Sequence, residues 1–231
     1  MSVPPAPANA GILANLSEVE QERQRRAADP ALAQRVRAVK QFQQQRLRET
    51  HADLLASPRY RAAATFFLEE LYGPADFGQR DAQFARVVPA LVKLFPDEVV
   101  QTVAALAELH ALSERLDSRM GEALEPGNDD AALDAARYGQ AWRRVGQPAA
   151  RERQISLMLQ VGESLDRHTR SRLLRTSLHL MRGPARAAGL QALQRFLESG
   201  FDAFAAMGGA REFLQTIAER ERALAAQWFG S

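Results

Sequence analysis

Histidine and carboxylate side chains are the residues of this chain that could hold a metal, since it has four histidines and no cysteine. A di-iron site in a helical bundle needs paired Glu-x-x-His motifs on facing helices. No glutamate stands three residues before any of the four histidines, and the zinc motif His-Glu-x-x-His is absent. The sequence therefore predicts no metal site.

Nucleophilic and nucleotide chemistry lack their usual signatures as well. The sequence contains no Gly-x-Ser-x-Gly elbow, no Walker loop and no dinucleotide-binding glycine pattern. The absence of cysteine also removes disulfides, thiolate metal sites and cysteine nucleophiles. We therefore expect a non-enzymatic protein without a cofactor, unless one of the histidines binds a ligand.

His110 has the most suggestive context of the four histidines. The string from Leu106 to Ala111 is similar to the proximal-histidine helix of a globin, and Phe66 lies upstream at the spacing of the phenylalanine that wedges the haem. Against a haem site, Asp81 takes the place of the distal histidine, and the chain is much longer than a globin. Haem or small-ligand binding therefore stays an alternative to a His110 that pairs with a polar partner or lies at the surface. The ligand site of this alternative comprises His110, Phe66, Phe67 and Glu70.

A cluster of basic residues near position 170 is the second candidate site. His168 and His179 are eleven residues apart, about three helical turns, and share a face if the helix is unbroken. Arg170, Arg175 and His179 would then form a site for a phosphate or carboxylate. The other interpretation is a solvated basic helix face without a ligand.

The overall charge argues against a nucleic-acid partner. The 30 basic residues are nearly balanced by 28 acidic ones, for a net charge of +2, and no helix-turn-helix pattern is present. No run of about 18 apolar residues occurs, so the sequence predicts no membrane span. The first residues lack the basic start and apolar stretch of a signal peptide. A cytoplasmic location is the resulting prediction.

The elements that would position these residues are helical throughout. Asp29-Pro30 combines an N-cap with proline at the first helical position, and an acidic first turn favours a long helix over residues 97–124. The period-two apolar alternation of half-buried strands is nearly absent. We predict an all-α fold of about eight or nine helices. It forms a single compact domain over residues 16–231, after a disordered N-terminal tail over residues 1–15.

The helix predicted over residues 60–72 is apolar around most of its girth, which is typical of a helix in the middle of a fold. Glu69 points away from its core face, and Glu70 lies near the edge, where Arg80 or another arginine would pair with it. Consecutive helical positions diverge by about 100°, so the two glutamates cannot converge on one substrate atom. We expect the long helix 97–124 as its neighbour, and any pocket where the two meet.

Residues 66–72 read Phe-Phe-Leu-Glu-Glu-Leu-Tyr. This string resembles, letter for letter, the signature of the bacterial FFLEELY motif proteins. The resemblance extends through the segments 73–81 and 109–117, and it resumes in 196–204 and 213–221. It implies a bacterial, all-helical protein, and it implies no particular reaction, ligand or site residue.

Aromatic residues near the C-terminus are compatible with either a core or an interface. Phe201 and Phe204 follow Gly200, a small residue that allows close approach of another helix. Core packing is the ordinary interpretation, and a helical homodimer surface is the alternative, because aromatic residues are enriched at interfaces. Without a catalytic signature, we predict an interaction or regulatory protein that binds a protein partner or a second copy of itself.

Overall fold

The computed structural model describes residues 8–71, 77–124 and 132–230, and this part of the chain contains no strand. The prediction of an all-α fold is confirmed, but the helices outnumber the eight or nine expected. They are α1 Ala8–Ala28, α2 Pro30–Thr50, α3 Ala52–Ala56, α4 Arg61–Phe66 with a π-helical continuation Phe67–Leu71, α5 Gly78–Leu94, α6 Asp97–Ala123, α7 Ala135–Val145, α8 Pro148–Thr169, α9 Arg172–Leu180, α10 Arg182–Ala187, α11 Gln191–Met207 and α12 Arg211–Gly230.

Short breaks account for the extra helices. The chain turns at His51, which ends α2 and precedes α3. Ser171 caps α9 by accepting a bond from the amide of Leu174 at 3.3 Å, so the helix that would have carried His168 and His179 on one face is interrupted there. A local cap of this kind ends one helix and starts the next without any change in the apolar pattern.

The prediction of a disordered tail over residues 1–15 is wrong for its second half. Helix α1 already begins at Ala8, while residues 1–7 lie outside the described part of the chain. Ile12 and Leu16 are buried, because α1 packs along α6 and α5. Two apolar residues four apart are enough to dock the first turns of α1 on the body of the protein.

The long helix α6 lies at the centre of the bundle and contacts α1, α2, α7 and α8. Its acidic first turn, Asp97 and Glu98, matches the predicted start. At its other end Gly121 allows α2 to come close, because a β-carbon there would lie 2.6 Å from a methyl group of Val36. The predicted helix over residues 97–124 is therefore confirmed.

Helix α4 and its π-helical turn lie in the core as predicted, but their main neighbour is different. The most extensive helix contact of α4 is with α11, where the ring of Phe66 lies against Gly200. A β-carbon on Gly200 would come within 2.8 Å of that ring. Phe66 and Phe67 still share one apolar cluster with Leu109 of α6. Residues 72–76, which include the end of the motif, lie outside the described residues.

The C-terminal aromatic residues serve the core of the chain itself. Phe201, Phe204 and Phe213 are all buried. The ring of Phe67 packs on Phe204 at 6.0 Å and on Phe213 at 5.6 Å between centroids. These rings therefore join α4 to α11 and α12, as the core-packing interpretation expected. None of the helices in the described ranges is long and apolar enough to cross a membrane.

Candidate ligand-binding cavities

His110 on α6 is paired with Asp81 on α5. The Nε2 atom of His110 lies 2.9 Å from Oδ2 of Asp81, and the Asp81 side chain is only 8% exposed. Arg23 of α1 also donates to Oδ2 at 2.9 Å, and Arg80 donates to Oδ1 at 3.3 Å. Burial raises the pKa of Asp81, but the bond to His110 and the neighbouring positive charges outweigh it, and the pKa falls to about 2.

A second buried carboxylate, that of Glu114, lies one turn after His110 on α6. Arg26 of α1 donates to its Oε2 atom at 2.5 Å, and Lys40 of α2 donates to Oε1. Burial raises the pKa of Glu114, but the charges of Lys40 and Arg26 lower it to about 2. Helices α1 and α2 therefore supply the cations that allow two acids of the interior to stay ionised.

Asp117 is the third acid of this region and the least compensated. Gln43 donates to its Oδ1 atom at 3.1 Å, whereas the ammonium group of Lys40 is 3.8 Å from Oδ2. Burial raises the pKa of Asp117, and the attraction of Lys40 is too weak to reverse the shift. Gln43 also donates to the hydroxyl of Tyr138 at 3.2 Å, which ties α2 to α7.

These groups border a cavity of about 110 Å³, here named the His110 cavity. Its polar wall includes His110, Asp81, Glu114 and Asp117. Its apolar wall comes from α5, α6 and α11 and includes Phe84, Val87, Leu106, Leu193 and Phe196. The cavity lies beside the π-helical turn and α6, close to where the sequence predicted that a pocket would form.

The predicted ligand residues do not form one site. His110 and Glu70 line the His110 cavity, Phe67 lines a different cavity, and Phe66 lines neither, since it packs on Gly200. The expected contact between Glu70 and Arg80 is present: Arg80 donates to the backbone carbonyl of Glu70 at 2.9 Å, and its guanidinium is 4.0 Å from the carboxylate.

A haem does not fit this arrangement. The Nε2 atom of His110, which would have to bind the iron, is already bonded to Asp81. The cavity is also below the roughly 300–1,000 Å³ of pockets that hold drug-sized ligands. The geometry agrees with the other interpretation of His110, a histidine paired with a polar partner.

The predicted anion site near position 170 is not assembled either. Arg170 pairs with Asp166 at 2.6 Å, Arg175 is 4.0 Å from Asp202, and His179 is 3.9 Å from Glu198. Each of the three predicted residues faces a separate carboxylate and is well exposed. The structure here resembles the alternative, a solvated basic face. No cluster suited to a metal occurs in the described ranges.

A second cavity of about 70 Å³, here named the His51 cavity, was not predicted from the sequence. It lies between α2, α3, α4, the π-helical turn, α7, α8 and α12. Its lining includes Arg46, His51, Phe67, Trp142 and Trp228. Gln43 and Gln154 line both cavities, so the two are neighbours.

The polar end of the His51 cavity is organised by Glu221 of α12. Its Oε1 atom lies 3.1 Å from Nε2 of His51 and also accepts a bond from the guanidinium of Arg46. Burial raises the pKa of Glu221, but the bond to His51 and the charge of Arg46 lower it below its ordinary value. The carboxylate therefore stays ionised between two basic side chains.

Aromatic rings form another part of the wall of the His51 cavity. The rings of Trp142 and Trp228 lie 4.9 Å apart, and the guanidinium of Arg151 lies 3.9 Å from the Trp142 ring. Arg46 lies 5.6 Å from the Trp228 ring. No motif in the sequence marks these residues, because they come from separate helices and share no spacing. A signal that did exist was the pair of tryptophans, the only two in the chain.

Comparison with known proteins gives one result that bears on identity. A family model described as a domain of unknown function, DUF8198, matches residues 22–231. No curated protein and no solved structure matches the chain. Since the match spans nearly the whole chain, from within α1 to the last residue, this protein belongs to the DUF8198 family.

Proposed function

We propose that this protein is a non-enzymatic interaction protein that binds an acidic, amphipathic segment of a partner protein through α9. The observation that carries the proposal is the surface of α9, in which no residue is buried. A helix that contributes so few side chains to the core of the protein, and still exposes apolar side chains to solvent, is typical of a docking surface.

The leucines of α9 form two stripes. Leu174 and Leu178 are half-buried on the side that faces the body of the protein. Leu173 and Leu180 are seven residues apart, so they share another face, and they are 75% and 72% exposed. Met181, directly after the helix, is 50% exposed. The outer stripe adds apolar surface that the fold itself does not use.

The charge around the outer stripe favours an acidic partner. Residues 167–197 contain seven arginines and no acidic residue, although the whole chain has a net charge of only +2. Positive potential speeds encounter with acidic surfaces. Exposed leucines add little binding free energy against a phosphate backbone. Against the apolar face of a helix, by contrast, they become buried and stabilise the complex. We therefore favour an acidic amphipathic helix over a nucleic acid as the bound segment.

The test is photo-crosslinking in the native cell. Benzoylphenylalanine in place of Leu180 should crosslink to protein segments that are rich in aspartate or glutamate and carry apolar residues at helical spacing. Leu94, which is 77% exposed at the end of α5, provides the matched control position. The double change Arg172→Glu and Arg175→Glu should greatly reduce the crosslinks from position 180. Equal crosslinking from both positions, or crosslinks to lipid alone, would contradict the proposal.

Several sequence predictions belong to the same proposal. They are the single domain over residues 16–231, the cytoplasmic location, the relation to FFLEELY motif proteins and the choice between a protein partner and a homodimer. Size-exclusion chromatography with light scattering addresses the last point. A dimer that Leu173→Asp dissociates would make a second copy of the chain, rather than an acidic partner, the occupant of the α9 surface.

A further inference from the structure

We infer that the His51 cavity is a binding site for a small carboxylic acid with a short apolar body. This inference does not depend on the α9 surface. It rests on the side-chain nitrogens around the cavity, on the apolar and aromatic remainder of its wall, and on its size.

Three nitrogens from the lining of the cavity are buried without a hydrogen-bond partner among the described residues. They are Nε of Arg46, Nδ1 of His51 and Nε1 of Trp142. His51 and Trp142 are each only 6% exposed, so bulk solvent does not reach them freely. A buried polar group that lacks a partner costs about 1–3 kcal/mol. Three such groups around one cavity indicate that something polar is meant to meet them.

The three side chains line the same cavity and are linked by contacts. Arg46 and His51 both reach the Oε1 atom of Glu221, which places the guanidinium and the imidazole within one hydrogen bond of a common point. Arg46 also lies over Trp228, whose ring is 4.9 Å from that of Trp142. The three side chains therefore belong to one group of contacting residues in the wall of the cavity.

The chemistry of these nitrogens selects an acceptor. The Nε–H of Arg46 and the Nε1–H of Trp142 can only donate, and Nδ1 of His51 donates in one tautomer and in the charged form. A carboxylate offers about four acceptor positions on two oxygens and can accept from all three groups. The positive charges of Arg46 and, when protonated, His51 offset the repulsion of Glu221.

The rest of the wall and the volume limit the body of the ligand. Leu47, Leu54, Phe67, Met158 and Ile217 line the cavity and present apolar surface. A volume of about 70 Å³ is roughly half of the 150 Å³ cavity that accommodates benzene in an engineered protein. A short-chain acid of the size of propionate matches both the volume and the surface.

The readout is built into the molecule, since both of its tryptophans line the cavity. Titration of the full chain with sodium propionate should give a saturable change in tryptophan fluorescence. It should also move the Nε1–H proton resonance of Trp142 downfield, as a new hydrogen bond forms. Propionamide, which lacks the charge, and sodium chloride at matched ionic strength are the ligand controls.

Two Trp→Phe variants distinguish the effect of hydrogen-bond donation from the effect of ring shape. Trp142→Phe keeps an aromatic ring but removes the donor, and it should weaken propionate binding by about tenfold, the effect of losing one charge-assisted hydrogen bond. Trp228→Phe makes the same change at a tryptophan whose nitrogen is not among the three, and it should alter the affinity by less than about threefold. His51→Phe, read by the Trp142 resonance, gives a second loss of donation.

The inference fails under clear conditions. A fluorescence response that does not saturate up to about 10 mM propionate would mean that ordered water alone meets the nitrogens. An equal loss of affinity in Trp142→Phe and Trp228→Phe would mean that ring packing, and not donation, decides binding. Urea denaturation of each variant checks that the fold is intact. In His51→Phe, a Trp142 resonance that is unchanged in the absence of propionate provides the same check at the site.

Discussion

The His110 cavity and the His51 cavity share Gln43 and Gln154 as a common wall, yet the polar groups around them differ in whether they have partners. Around His110, the carboxylates of Asp81 and Glu114 each accept from at least two cationic or histidine groups. Around His51, by contrast, three nitrogens have no partner in the described part of the chain. The first cavity borders a network that is complete in itself, whereas the second is complete only with an acceptor from outside.

The difference shows which kind of polar group indicates a ligand. A buried ion network can surround a histidine in a suggestive sequence context and still serve the fold alone. Buried donors without a partner in an otherwise apolar wall carry a free-energy cost, which a bound acceptor removes. Stability measurements should therefore respond strongly to changes around His110, and ligand measurements should respond to changes around His51.

Acidification should have the largest effect on stability, because it protonates the ionised carboxylates of the network around His110. The folded pKa values of Asp81 and Glu114 are about 2, below the ordinary values of 3.8 and 4.5. Their contribution is present above the ordinary pKa and is lost as the pH falls towards 2. The free energy of unfolding should drop by about 5 kcal/mol between pH 5 and pH 2, at about 1.4 kcal/mol per pKa unit per group. Urea denaturation across this range measures it, and a flat profile would refute the network.

Asp81→Asn should destabilise the protein by about 3 kcal/mol at pH 7, because Arg23 and Arg80 lose a buried counterion. Asp53→Asn is the matched control. Asp53 also has an arginine partner, Arg220, and a pKa of about 2, but its side chain is 59% exposed. Solvent screens that pair, so the control should cost less than about 1 kcal/mol. Similar losses in the two variants would show that burial does not matter here.

Gln43→Leu should cost about 2 kcal/mol, since Asp117 and the Tyr138 hydroxyl both lose their donor in the wall between the cavities. Gln45→Leu, on the same helix, removes only an exposed bond to Glu49 and should change stability by less than about 0.5 kcal/mol. Chemical denaturation at pH 7 compares the two. A neutral Gln43→Leu would mean that the two cavities are not separated by a polar wall.

Asp117→Asn should have the smallest effect and the opposite sign. Burial raises the pKa of Asp117, so its contribution to stability is present below the ordinary pKa and is lost as the pH rises through the folded pKa. An asparagine still accepts from Gln43 without a buried charge. We expect a gain of about 1 kcal/mol at pH 7 that vanishes near pH 3. A loss at pH 7 would show that the attraction of Lys40 outweighs burial.

The helical elements were predictable where local chemistry decides them. Asp29 caps α2 as expected, its carboxylate accepting from the amide of Leu32 at 3.0 Å. Pro148 opens α8, and α6 has nearly the predicted bounds. The start of α1 was missed, because two apolar residues among proline and glycine give a weak periodic signal. Docking on α5 and α6 stabilises that helix.

The sites were less predictable, because they depend on which helices meet. Asp81, which stands at the distal-histidine position in the globin comparison and argued there against haem, is the actual partner of His110, a contact that the sequence did not predict. The His51 cavity has no spacing signal either, since His51 and its partner Glu221 are 170 positions apart. Sequence spacing describes one helix at a time, whereas this cavity requires seven elements to be in place.

That separation has a consequence for the order of events during synthesis. Trp228 and Glu221 belong to α12, which is made after the other helices of the cavity, and each closes part of the His51 cavity. Until they leave the ribosome, Arg46 and His51 stay in water and bind no acid. The acceptor site is thus available only on chains that include α12, and a ligand that stabilises it would distinguish them from chains that stop before α12.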